Sequence, residues 1–318
     1  MRIPWLSPWL PYPIHRIESM HAVNCNICDT DKTALVTVQN DYRIVQCRNC
    51  RLVYVNPRPD REMLIELYAN YHQRNGKNEF SWVRLMQKNF KEVSAILKRI
   101  YPGGGSLLDI GCGYGYFIEL MRDSGWSVCG IDPSSKAVWR AKEKGLPVME
   151  TTIEEFTIPG DAFDAITAFY VLEHLEDPLS VTRKILSFLK PGGIFIMRVP
   201  HTTPIIRILS AFGISNALYD PPFHLYDFSP ATIETLLKKA GFSSIRIMPG
   251  CPTCPANRIE RIISILSGNL SKLLFIVSAG MFLLPGTSKT IFALRNGERL
   301  SAEKSGSVSR VKDQAQGV

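Results

Sequence analysis

Ser106-Leu107-Leu108-Asp109-Ile110-Gly111-Cys112-Gly113-Tyr114-Gly115 is the stretch on which the reading of the whole chain turns. Leu107 to Ile110 suit a buried strand, and that strand runs straight into glycines at every second position. Without a Cβ, Gly111, Gly113 and Gly115 allow the backbone to turn sharply and lie against a ligand. The apolar spacing of Tyr116-Phe117-Ile118-Glu119-Leu120-Met121-Arg122 then predicts a helix. A strand, a glycine turn and a helix N-terminus together receive the polar or charged end of a ligand.

The dinucleotide fingerprint G-x-G-x-x-G would place its third glycine at position 116, which is Tyr116. The chain reads D-x-G-x-G-x-G instead, with Asp109 inside the strand. A carboxylate there disfavours a pyrophosphate and suits an amino-acid-like group set among the glycines. The next predicted strand, Ser127-Val128-Cys129-Gly130-Ile131-Asp132, ends in an acid 23 residues after Asp109. Doubly wound folds bind a ribose hydroxyl with an acidic residue at that strand end.

Asp109 to Gly115, Gly130-Ile131-Asp132-Pro133-Ser134, Phe163-Asp164-Ala165-Ile166 and Leu189-Lys190-Pro191-Gly192-Gly193-Ile194 resemble the ordered motifs of class I S-adenosylmethionine-dependent methyltransferases. The match covers residues 103 to 248. The resemblance implies an α/β fold: a Rossmann-like, seven-stranded methyltransferase sheet with helices on both faces. It implies S-adenosylmethionine as co-substrate, with Gly111, Gly113 and Gly115 around the methionine part and Asp109 beside them. Asp132 would take the ribose hydroxyls, Ile153 and Glu154 the adenine, and Phe169 would flank the sulfonium. A nicotinamide enzyme and a degenerate Rossmann-like module stay open as alternatives.

With 318 residues, 45% hydrophobic and 21% charged, the chain has the composition of a globular protein with one large domain and a small accessory one. Its net charge of +8 is spread out, whereas a nucleic-acid reader gathers its basic residues on one face, so no nucleic-acid partner is expected. Trp and Pro interrupt residues 1–20, so no signal peptide is expected there. This stretch is expected to be disordered, or to precede a true start at Met20. The protein is accordingly expected in the cytoplasm, with its cysteines as thiols or metal ligands.

Cys25-Asn26-Ile27-Cys28 and Cys47-Arg48-Asn49-Cys50 are two C-x-x-C knuckles with 18 residues between them. Alternating strands at Thr33–Val38 and Tyr42–Gln46 would bring the knuckles together, and four thiolates suit tetrahedral Zn²⁺. Residues 21–58 are read as a zinc ribbon with a structural site, since four cysteines leave no coordination position for water. The ribbon followed by Leu52-Val53-Tyr54-Val55-Asn56-Pro57-Arg58-Pro59 resembles a bacterial branch of these methyltransferases (type 23/12-like) linked to surface-glycan and secondary-metabolite pathways. Residues 59–102 read as a helical cap, with Tyr68, Tyr71, Phe80 and Trp82 either packing on the sheet or covering the cofactor mouth.

Residues 103–297 form the predicted methyltransferase domain. A nearly all-apolar fourth strand, Phe163 to Phe169, delivers Glu173 and His174 to the carboxyl end of the sheet, where ligands bind in open α/β folds. After the fifth strand, residues 200–228 read as a long substrate loop carrying His201, Tyr219, His224 and Tyr226. His224, then His174, are the candidate bases or substrate contacts. Ser229 and Pro230 predict the start of a helix. Forty residues then separate strand six, Ser244 to Met248, from strand seven at Lys289 to Leu294. This 255–286 insertion carries a helical apolar face with Ile259, Ile262, Ile263, Leu266, Leu270, Leu273, Leu274, Val277 and Met281, opposite Arg261, Ser264, Ser271 and Lys272. Its 12 uninterrupted apolar residues, Leu273 to Leu284, are too few to span a bilayer. The insertion is either a lid packed on the fold or a helix in a membrane interface, with 259–285 the contact. Cys251 and Cys254 read as structural, and residues 298–318 as a disordered tail.

The composite expectation is methyl transfer to oxygen or carbon of a small-molecule, sugar or lipid-linked glycan acceptor. Two rivals remain: a scaffold that keeps the fold without turnover, and an RNA methyltransferase that uses the ribbon for recognition.

Overall fold

The protein is described from a computed structural model covering residues 20–64, 79–214, 216, 218–252, 258–279, 282–284 and 288–297. The readings made for residues 1–19, Tyr68, Tyr71, Cys254 and the 298–318 tail lie outside the described residues, as do the side chains of Phe80 and Trp82.

The chain runs β1 (Met20–His21), β2 (Thr33–Gln39), β3 (Tyr42–Cys47), β4 (Val53–Val55), β5 (Arg58–Pro59), α1 (Glu79–Ile100), β6 (Ser106–Ile110), α2 (Tyr116–Arg122), β7 (Ser127–Asp132), α3 (Ser135–Glu143) and β8 (Val148–Glu150). It continues through β9 (Phe163–Phe169), α4 (Pro178–Phe188), β10 (Leu189–Val199), α5 (Thr203–Ala211), β11 (Tyr226–Asp227), α6 (Pro230–Ala240), β12 (Phe242–Pro249), α7 (Arg258–Val277) and β13 (Lys289–Arg295). Seven strands form one sheet in the order β12-β13-β10-β9-β6-β7-β8. β10, β9, β6, β7 and β8 are parallel, and β13 is antiparallel to both β10 and β12. This is the Rossmann-like methyltransferase sheet, with helices on both faces.

Strands covered on both faces need continuous apolar sequence. Leu107 and Leu108 of β6, Ala165 and Ile166 of β9 and Phe195 to Met197 of β10 are all buried. On one face Ile185, Phe188, Leu236 and Leu237 of α4 and α6 pack on Phe195 and Phe242. On the other, Met86, Phe90 and Leu97 of α1 join Phe117 and Met121 of α2. Helix α6 starts as its sequence predicts: the Ser229 side chain accepts from Thr232 N, Pro230 occupies the first turn, and Gly241 closes the helix at φ +105°.

The N-terminal unit is not a free-standing module. Its sheet runs β11-β4-β3-β2, so the edge strand comes from the stretch read as a substrate loop. Tyr226 pairs with Tyr54 and Asp227 with Val53. Cys25, Ile27, Val45, Leu52 and Tyr54 lie in the same apolar cluster as Phe195 and Leu236. Polar contacts add to this seam: Asn26 Nδ2 donates to Asp177 Oδ1 at 2.7 Å, and Arg58 Nη1 donates to the Tyr226 hydroxyl at 2.8 Å.

Of the two directions open to its apolar face, helix α7 turns most of that face away from the fold. Ser271 and Phe275 are buried, and Lys272 forms a 2.8 Å ion pair with Glu92 of α1. A Cβ on Gly268 would meet Pro252 Cγ at 2.5 Å, so the small residues let the helix approach the fold closely. Ile262, Leu266, Leu270, Leu273 and Val277 point outward, Leu266 at 65% and Val277 at 76% exposure. Among the described residues, no helix is long and apolar enough to cross a membrane.

Candidate functional site

The glycine turn stands between β6 and α2, at the point where the chain leaves β6 for β7 on one side while β9 and β10 lie on the other. All three glycines have left-handed backbone, at φ +69° for Gly111, +52° for Gly113 and +77° for Gly115. Each meets a different neighbourhood. A Cβ on Gly111 would strike Val171 at 2.7 Å, and one on Gly115 would strike Leu146 at 2.4 Å. A Cβ on Gly113 would meet no protein atom within 4 Å. Gly111 and Gly115 are therefore packing positions, and Gly113 faces the open crevice.

Asp132 holds this turn. Its Oδ2 accepts from Gly113 N at 2.8 Å and its Oδ1 from Ser134 N at 2.9 Å. Each carboxylate oxygen has a second lone pair, so both bonds are compatible with a hydroxyl ligand. Asp109 makes a different set of contacts. It is buried and accepts a 2.6 Å hydrogen bond from Thr167 Oγ1, its register partner on β9. Burial pushes its carboxyl up to about 7, against the Thr167 hydrogen bond and with the Asp132 charge adding to the rise. Thr167 was missed in the sequence, although a lone hydroxyl in the apolar run Phe163 to Phe169 was its signal.

The other cofactor residues separate. Ile153 is buried in the main core, while the Glu154 side chain is exposed and its carbonyl accepts from Lys184 Nζ at 2.6 Å. The Phe169 ring is engaged by the core: it meets Phe117 edge-on at 5.0 Å and Phe90 at 5.3 Å between centroids. That packing leaves the ring buried at the last position of β9.

Beyond Val171 the chain makes a 3-10 turn, Leu172–His174. His174 donates from Nδ1 to the Phe223 carbonyl at 2.7 Å. Burial pulls its imidazole down to about 4, although the Phe223 carbonyl favours the protonated form. At neutral pH the ring is neutral, with its lone pair on Nε2. The His224 ring stands edge-on to it at 4.8 Å. The two histidines expected near the chemistry are thus brought together from positions 50 residues apart.

The remaining loop residues have structural partners. Asp227 accepts from Thr202 N at 2.8 Å, Thr202 Oγ1 at 2.7 Å, Thr203 N at 2.9 Å and the Thr203 hydroxyl. Tyr219 donates to Thr203 Oγ1 at 2.9 Å, and the Tyr226 hydroxyl donates to the Glu176 carbonyl at 2.9 Å. Both tyrosines are buried, which corrects the expectation that they line an open loop. His201 is half-buried, with Nδ1 unpartnered and burial holding its imidazole below the usual range.

In the N-terminal unit Cys25 Sγ lies 3.3 Å from Cys50 Sγ and Cys28 Sγ 3.4 Å from Cys47 Sγ. All four sulfurs fall within 4.8 Å of one another. Thiolates on one tetrahedral Zn²⁺ sit about 3.8 Å apart, given Zn–S bonds of about 2.3 Å. The residues after the two knuckles, Asp29 and Arg51, both have left-handed backbone, at φ +54° and +70°, so the knuckles make equivalent turns.

The methyltransferase-domain family profile matches residues 81–247, more than half of the chain. A ubiquinone biosynthesis O-methyltransferase of Xanthomonas axonopodis pv. citri is 33% identical over 154 residues, covering 45% of this chain and 64% of that protein. Its counterpart in Marinobacter nauticus is 30% identical over 183 residues, covering 54% and 76%. A probable S-adenosylmethionine-dependent methyltransferase of Mycolicibacterium smegmatis is 30% identical over 141 residues, covering 44% and 52%. The chain thus spans between about half and two thirds of the length of the Xanthomonas and Mycolicibacterium proteins. Phosphoethanolamine N-methyltransferase 2 of Haemonchus contortus, solved with S-adenosyl-L-methionine, shares the fold: the TM-score is 0.50 at 20% identity, over 77% of this chain and 63% of that one. With the glycine turn, the seven-stranded order and the matched span in agreement, the chain belongs to the class I S-adenosylmethionine-dependent methyltransferase family.

Proposed function

We propose that the protein transfers a methyl group from S-adenosylmethionine to an oxygen or carbon atom of a small-molecule acceptor. The observation that carries this reading is the clasp between Asp132 and Gly113, set against open space where a Cβ at Gly113 would stand. Gly113 can approach the methionine part, Asp132 the ribose hydroxyls, and the Glu154 loop the adenine; Asp109 supplies negative potential beneath the turn. When bound, the co-substrate supplies an already activated methyl group, so the protein's task is mainly to align the acceptor and exclude water. The edge-on pairing of His224 with His174 supports their reading as acceptor contacts or as the group that takes a hydroxyl proton. The named relatives favour a small-molecule hydroxyl as the acceptor, and a sugar or lipid-linked glycan fits the same chemistry. Calorimetry with S-adenosylhomocysteine tests the reading: saturable heat supports it, and its absence would leave a scaffold.

Four thiols in tetrahedral reach support a structural Zn²⁺ at Cys25, Cys28, Cys47 and Cys50, holding β4 in place for β11. Peripheral membrane contact through 259–285 is supported by the outward apolar stripe of α7, and by Phe212 at the end of α5, exposed at 76%. Flotation with anionic vesicles checks it; protein left at the bottom of the gradient rules the contact out.

A further inference from the structure

We propose that Glu173, His174 and His224 form a divalent-cation site at the acceptor end of the crevice, taking Mn²⁺, Fe²⁺, Co²⁺ or Zn²⁺ through two imidazoles and one carboxylate. Glu173 is fully buried at 0% exposure, and neither of its carboxylate oxygens has a hydrogen-bond partner. A buried polar group in that condition costs free energy and calls for a partner. The neighbouring acid, Asp227, is occupied by the four donors of Thr202 and Thr203 and offers no relief.

The surroundings supply the rest of a metal shell. One ligand atom from each of the three residues lies within 4.8 Å of the others. Ligands on a common ion sit about 3 to 3.5 Å apart, so a modest side-chain movement closes the set. His174 already gives Nδ1–H to a backbone carbonyl, the outer contact that fixes the tautomer of a ligating histidine and turns Nε2 to the ion. The Glu173 carbonyl accepts from Leu225 N at 2.8 Å, which ties the turn to the residue after His224 and fixes the two halves of the site together. Nitrogen and carboxylate donors suit borderline and hard divalent ions, in contrast to the four thiolates of the ribbon.

The site rests on the proposed methyltransferase activity for its meaning, since Val171 packs on Gly111 and sets the trio just beyond the glycine turn. An ion there would hold an acceptor hydroxyl by its oxygen and lower its pKa. The oxygen then takes the methyl group, the sulfur keeps the electron pair of the broken bond, and the hydroxyl proton passes to solvent. The histidines in this arrangement act on the acceptor through the ion rather than by taking its proton.

Equilibrium dialysis of the full chain against Mn²⁺, with elemental analysis of both compartments, tests the site. Thiolates are poor ligands for Mn²⁺, and total metal is counted in case Zn²⁺ already fills the trio. The wild type should hold one ion per chain more than Glu173→Gln and His224→Gln, or bind Mn²⁺ at least tenfold more tightly than either. Near-wild-type melting of the isosteric Glu173→Gln confirms that it folds. Should it not fold, Mn²⁺-induced broadening of the His174 and His224 ring signals in the wild type decides instead, and unbroadened rings overturn the site. Equal metal content in all three proteins also overturns it. S-Adenosylhomocysteine binding is measured alongside: heat without the extra ion removes the cation site and leaves the activity, while the ion without heat does the reverse.

Discussion

The molecule carries two clusters with metal-ligand chemistry, and they are built in opposite ways. The four cysteines come from two tight knuckles, each with both its sulfurs supplied within four residues and closed by a left-handed residue at Asp29 or Arg51. The Glu173, His174 and His224 cluster joins the end of β9 to a loop 50 residues later, and only the folded chain brings it together. The first is a property of local spacing and the second of topology. Yet they are mechanically joined, because β4 follows the second knuckle and β11 follows His224, and the two strands pair.

That joint predicts the largest effect. Cys47→Ser should lower stability by about 3 kcal/mol or more, since structural metal binding is itself folding energy and Cys47 is wholly buried in the shared core. In a chain of 318 residues the melting temperature should fall by roughly 5 °C. The loss should spread along the seam, abolishing turnover through the displaced His224 while S-adenosylhomocysteine still binds at the glycine turn. If the variant melts in a separate early transition with turnover intact, the ribbon is an independent module and the mechanical link is wrong.

The glycine turn sharpens the contrast from the other side, because local sequence and tertiary contact both specify it. Asp132→Ala removes the acceptor for Gly113 N and Ser134 N together. Affinity for S-adenosylhomocysteine should drop about a hundredfold, near 2.7 kcal/mol, in keeping with two charge-assisted hydrogen bonds and a lost ligand contact. Calorimetry reads this directly, and a change of less than about fivefold would show that Asp132 only braces the loop.

Asp109 supplies a pH-dependent contrast within the same turn. Its carboxyl is raised from 3.8 to about 7, chiefly by burial. Between those values the unfolded chain has released the proton and the folded chain has kept it. Stability therefore falls as pH rises through the window, by at most about 1.4 kcal/mol per pH unit, and is level above about pH 7. Asp109→Asn should flatten that slope in melts taken across the range. A positively charged co-substrate favours the ionised form, so S-adenosylmethionine should bind more tightly as pH climbs towards 7 in the wild type and not in the variant. A flat wild-type profile would mean that Thr167 holds the carboxylate ionised throughout.

These cases show which physical signals a linear chain carries. The central strands were legible because burial on both faces leaves an unbroken apolar run, as in Phe163 to Phe169, and the α6 start because Ser229 and Pro230 act within one turn. Asp132 was legible through its distance from the glycines. Thr167 was not read, because its role exists only where β9 lies in register with Asp109. The burial of Tyr219 and Tyr226 within the predicted loop was not read for the same reason: their partners, Thr203, Arg58 and Glu176, stand on elements that no local pattern connects to them. Phe169 sits at a ligand-facing strand end by topology, but Phe90 from α1 closes over its ring.

Helix α7 is the case in which periodicity named the face and left its direction open. A 3.6-residue apolar stripe tells which residues share a face, and nothing in it states whether that face meets the protein or something else. Here the opposite face carries Gly268, Ser271 and Phe275, small enough around one aromatic to seat closely on Pro252, and Lys272 finds Glu92. Leu266→Ser and Leu273→Ser together should therefore change the stability of the isolated protein by no more than about 0.5 kcal/mol each, the range of exposed substitutions. A lid with these leucines in its core would lose about 2 to 5 kcal/mol at each position. The same double variant should release the protein from anionic vesicles if the wild type floats with them. A large fall in melting temperature in the absence of lipid would turn the helix back over.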